Sequence, residues 1–101
     1  MLFNLIIKEE AHQETIEAYN YYEEQLIGLG ERFLNLLQKR YTDLSNHPAH
    51  YGFINNDENL NLREVLLAKF PFVVVFEIIH NDVVVYAIHN THRHPKNKIR
   101  K

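Results

Sequence analysis

Two runs, FVVVFEII over residues 72–79 and VVVYAI over residues 83–88, lie three residues apart and limit what this chain can become. Both are rich in β-branched and aromatic side chains, which suit a pleated sheet and crowd a helix. The intervening HND is short enough for a tight hairpin, with Asn81 and Asp82 the residues expected to tolerate positive φ. Pro71 stands where a strand can begin without losing a ladder bond. An antiparallel pair near the C-terminus is therefore the fixed point of the fold.

That pair raises a covering problem, because residues 72–76 are apolar at every position and so on both faces. One cover is visible upstream. From Lys8 the chain takes a helical period, with Ala11, Thr15, Ala18 and Tyr22 in one stripe and Tyr19 and Leu26 beside it. Glu9, Glu10, Glu14, Glu17, Glu23 and Glu24 mostly occupy the other side. GLG at 28–30 ends this helix. A second follows with Phe33, Leu34, Leu37, Tyr41 and Leu44 on one face, and Asn46 and Pro48 stop it. So short a break predicts an antiparallel αα-hairpin. Residues 2–7 read as a short strand, and residues 60–69 as another with rough alternation.

The expected order is β-α-α-β-β-β, an α+β fold with the helical hairpin packed on a largely antiparallel sheet. Two helices cover one sheet face. The other either meets a partner through an apolar patch or is covered by the loop at 46–59 and the tail.

At 101 residues the chain has room for one modest core. We expect one domain over 1–95 and a basic tail over 96–101. With no cysteine, there is no disulfide and no thiolate ligand or nucleophile. The opening LFNLII is too short for a signal core and has no preceding basic segment. FPFVVVFEII carries Glu77 and falls short of a membrane span, so a cytoplasmic protein without membrane association is expected. The net charge of −2 hides an asymmetry. Residues 91–101 hold five bases and no acid, whereas the other 90 hold 6 bases against 13 acids, or −7. A tail of that kind is suited to an anionic partner.

The remaining chemistry gathers in HNTHRHP, residues 89–95. His89, His92 and His94 have a spacing that three imidazole ligands of zinc can adopt. Yet Arg93 stands among them, the segment runs into a proline-containing tail, and no carboxylate lies nearby to orient the rings. Neither a metal nor any other cofactor is expected. Histidine titrates near neutrality and serves as acid or base, while the planar fork of arginine fits phosphate oxygens. His89 and His92 are thus acid–base candidates, with Arg63, Lys69 and Arg93 as phosphate ligands. His12, His47, His50 and His80 are expected to be structural.

Taken in order, EAYNYYEEQLIGLGERFLNLL, NHPAHYG, LREVLLAKFPFVVVFEI and VVVYAIHNTHRHP resemble the RelE/ParE superfamily of toxins over roughly residues 3–95. These are the toxic halves of type II toxin–antitoxin modules, often called plasmid stabilisation proteins. Arg63, Phe70, Pro71, His89 and Arg93 fall where family members typically carry Arg, Phe-Pro, His and Arg. Phe72 and Phe76 stand where members often have tyrosine, and the mild acidity contrasts with their usual basicity.

The resemblance implies a microbial ribonuclease-like fold, growth inhibition in a bacterial cytoplasm, and a cognate antitoxin joined to the toxin in a hetero-oligomer. It leaves the target open between messenger RNA at the ribosome, cut without a metal, and DNA gyrase, poisoned without hydrolysis by the toxin. A member that has lost toxicity and only binds its antitoxin is a third possibility. Arg63, His89 and Arg93 are the catalytic candidates it suggests. Lys69, His92, Lys96 and Lys98 are the candidates for binding nucleic acid or target. If the strands bearing Arg63 and His89 are neighbours, those two side chains could converge at one sheet face.

Overall fold

A computed structural model describes residues 2–92. Strand β1 (Asn4–Ile7) leads into helix α1 (Glu9–Gln25) and helix α2 (Leu29–Asn46). Three short 3-10 turns follow, at Pro48–His50, Ile54–Asn56 and Glu58–Leu60, and then strands β2 (Arg63–Leu66), β3 (Phe72–Ile79) and β4 (Asp82–Asn90). The strand expected over 60–69 is thus only four residues long, because Asn61 takes a left-handed conformation just before it and Lys69 another just after.

The sheet order is β1-β4-β3-β2. β3 pairs antiparallel with both β4 and β2, and β1 joins β4 in parallel, so the sheet is mixed. The positive φ in the β3–β4 hairpin belongs to His80 (54°), whereas Asp82 is already in β4. Asn81 instead lends its carbonyl to the Asn4 N–H (2.9 Å), fixing the start of β1 against the hairpin.

The helical hairpin covers one sheet face. Ala11, Ala18, Phe33, Leu37 and Leu44 are buried against Val65, Phe72, Val74, Phe76, Val83, Val85 and Ile88. Two residues expected in the apolar stripes are exposed, Leu26 beyond the end of α1 and Leu34 on the flank of α2. The helices approach closely at Gly30, where a Cβ would meet the Tyr19 carbonyl oxygen at 2.7 Å.

The chain itself covers much of the other face. Ile54 and Leu62 bury Val73, Val75 and Ala87, with Leu60 and Tyr86 at the border. The loop, and not an open apolar face, is the outcome there, although Ile6, Leu66 and Ile79 remain exposed.

One irregularity governs how β4 presents its side chains. Val75 pairs with Ala87 while Phe76 pairs with Val85, leaving Tyr86 as an extra residue. Such a bulge reverses the facing of every residue beyond it. Val83 and Val85 face the helices on one side of the bulge, and Ile88 does so on the other. His89 is thereby turned to the face away from the helices.

Candidate functional site

Arg63 opens β2, where Gly52–Ile54 runs alongside as an added edge. The Ile54 N–H donates to the Leu62 carbonyl (2.8 Å) and the Glu64 N–H to the Gly52 carbonyl (3.3 Å). This arrangement engages the arginine. Its Nη1 donates to the Tyr51 carbonyl oxygen (2.6 Å), and its guanidinium lies over the Phe53 ring at 3.9 Å. Half-buried, Arg63 ties the loop to the sheet through a charge-assisted bond and a cation–π contact.

His89 sits near the other end of the sheet, opposite Val73, and is only 4% exposed. Arg63 pairs with Phe76, on the helix-facing side. The two candidates therefore lie on opposite faces. Along β3 they are three residues apart, about 10 Å, and about two strand spacings separate them across the sheet. The strands bearing Arg63 and His89 are not neighbours, because β3 lies between them, and the Tyr86 bulge turns His89 to the opposite face, so the two side chains do not converge.

The turn that carries Lys69 and the turn that carries His92 are tied together by Pro71 and Thr91. The Pro71 carbonyl accepts both the Thr91 N–H (2.8 Å) and the Thr91 hydroxyl (3.2 Å), joining the turn before β3 to the turn after β4. The Asn90 side chain accepts the His92 N–H (2.8 Å) and shapes that second turn. Both side chains are exposed, and Lys69 holds φ at 71°, a conformation that costs a lysine energy. Arg93, His94, Lys96 and Lys98 lie outside the described residues.

Beside this end stands an aromatic cluster. Tyr22 meets Phe70 at 4.8 Å between ring centroids, and Phe33 meets Phe70 and Phe72 at 5.5 Å each. Phe72 and Phe76 are core residues, and Phe76 stacks edge-on against Tyr51 at 6.4 Å. At these two positions a ring fills the core instead of presenting a hydroxyl to a ligand.

Two polar groupings were not foreseen. Glu77, buried within β3, accepts the Tyr86 hydroxyl (2.6 Å) and the Asn61 side-chain amide (2.9 Å). Burial, and next the bond to Glu77 and its charge, push the Tyr86 phenol up to about 12. A carboxylate inside an otherwise apolar strand was the sequence signal for this network. The second is Glu14, whose carboxylate takes the Ile88 N–H (3.0 Å), and nothing in the helical pattern set it apart. Among the described residues no group of three or more His, Asp or Glu side chains could hold a metal ion.

No family model matches the chain, and no curated protein matches it by sequence. The fold has solved counterparts. A structure of the chromosomal ParDE toxin–antitoxin system from P. aeruginosa superposes with a TM-score of 0.75 at 13% identity, covering 88% of this chain and 96% of that one. At such low identity the likeness speaks for the backbone arrangement. The two helices on a mixed four-stranded sheet form a ParE-like α+β fold.

Proposed function

We propose that this chain is the toxin of a type II toxin–antitoxin module, and that it acts by binding its target. The observation carrying the module reading is the fold likeness, which extends over almost the whole of both chains. The position of Arg63 and His89 on opposite faces favours binding over hydrolysis. Metal-free cleavage of RNA needs an acid or base and a phosphate-stabilising cation on the same few ångströms of substrate. Here one candidate is buried in the sheet and the other is committed to Tyr51 and Phe53. Phe72 and Phe76 add no hydroxyl. DNA gyrase, poisoned without chemistry by the toxin, is the target this arrangement suits better than messenger RNA. Neutralisation by a cognate antitoxin belongs to the same proposal.

Controlled expression in a bacterial host tests the module reading. Induction should arrest growth, and co-expression of the small reading frame adjacent to the gene should restore it. Unimpaired growth with soluble, folded protein would contradict the reading.

A further inference from the structure

The turn between the helices exposes apolar side chains, of which Tyr21 also meets the Tyr22 ring edge-on at 5.2 Å. Leu26 is 62% exposed, Ile27 is 91% exposed, and Tyr21, on the last turns of α1, is 58% exposed. What the turn requires is supplied by the backbone and by other residues. The Leu26 N–H donates to the Tyr22 carbonyl (3.0 Å), and the Leu29 N–H donates to the Leu26 carbonyl (3.0 Å). Gly28 takes the left-handed conformation, φ 92°. Glu23 accepts the N–H groups of Gly28 (2.8 Å) and Gly30 (3.0 Å), closing the turn over the start of α2. Polar residues at 26 and 27 would meet every one of these needs. Adjoining apolar side chains in water at a projecting turn are the mark of a surface that is covered in use.

The surroundings define what covers it. Glu24 and Glu31 are exposed at the tip beside Arg32, Glu17 is exposed about two turns back along α1, and residues 1–90 carry −7 as a whole. Two copies of this chain meeting tip to tip would bring like charges together, which opposes a symmetric dimer. An anionic bilayer is disfavoured on the same ground. We infer that the tip, Tyr21, Leu26 and Ile27, docks a polypeptide segment that presents apolar side chains within a basic frame. This surface depends on exposure and charge, and on no effect of the protein on growth.

The test uses the full chain and a labelled sixteen-residue helical peptide with leucine on one face and lysine on the other. Fluorescence anisotropy gives the affinity, and amide chemical shifts locate the contact. The expected result is binding that shifts the amides of residues 21–31, weakens with salt, and falls about tenfold in L26S/I27S and severalfold in E24K/E31K. Both double variants change exposed side chains, and their thermal unfolding is measured beside the wild type's. Equal affinity for L26S/I27S, equal binding of a leucine–glutamate peptide, or no binding at all would overturn the inference. So would a dimer in solution that L26S/I27S dissociates, or binding to anionic phospholipid vesicles that the same variant abolishes.

Discussion

Glu14 on α1 accepts the main-chain N–H of Ile88 on β4 at 3.0 Å, across 74 positions of sequence. β1 ends at Ile7, opposite Val85, so the edge of β4 beyond it has no strand to bond. The helix carboxylate takes the place of that strand and fixes the segment leading to His89 and His92. Glu14→Ala should cost about 1–3 kcal/mol by leaving a buried donor unpaired. Glu14→Gln, which keeps an acceptor oxygen, should lose less. Urea unfolding of the two variants checks the order, and equal losses would remove this role from Glu14.

Gly30→Ala tests the closeness of the helices. The added Cβ would meet the Tyr19 carbonyl oxygen at 2.7 Å and the Glu23 and Tyr19 side chains at 2.9 Å each. Backbone cannot give way cheaply, so a loss of about 1–3 kcal/mol is expected despite the better helix propensity of alanine. A variant as stable as the wild type would mean that the helices have room to part.

Raised tyrosine values make stability depend on alkaline pH, those of Tyr41 and Tyr86 most strongly. Burial pushes Tyr41 up to about 12, and burial with the bond to Glu77 and its charge pushes Tyr86 up to about 12. A folded value above the unfolded 10.0 means the folded state holds its proton more tightly. The stabilisation is therefore complete below pH 10 and is lost as pH rises from 10 towards 12. Tyr41→Phe with Tyr86→Phe should flatten that fall relative to the wild type. Singly, Tyr41→Phe should be neutral or slightly stabilising near pH 7, because the Thr15 hydroxyl donates to the Ala11 carbonyl (2.8 Å) and the buried Tyr41 hydroxyl has no hydrogen-bond partner among the described residues. Tyr86→Phe deprives Glu77 of a donor and should cost about 1–3 kcal/mol. Denaturant midpoints across pH 8–12 provide the comparison.

His80→Gly should stabilise the hairpin. Its φ of 54° strains a residue with a Cβ. Relief of that strain, less the added freedom of an unfolded glycine, leaves about 0.5–1 kcal/mol. A drop in melting temperature would show that the histidine ring makes a stabilising contact.

The hairpin of β3 and β4, the two amphipathic helices and their order were legible because each rests on a local period or a local breaker. Valines at 73–75 and 83–85 permit little else. The site was less legible, since it depends on register. One extra residue at Tyr86 decides which way His89 faces, and its neighbours in sequence give no sign of the bulge. Covering of the second sheet face was equally obscure. Ile54 and Leu62 lie in a polar, asparagine-rich stretch, and their burial follows from three-dimensional folding of the 3-10 turns.

The central claim is a toxin that binds and does not cut, and the state of cells shortly after induction tests it most directly. Plasmid supercoiling and full-length message are followed in the same culture, with the Arg63→Ala and His89→Ala variants alongside. The account predicts lost supercoiling, DNA damage and filamentation while messages stay intact. Rapid truncation of messages at ribosomes, with supercoiling unchanged, would contradict it.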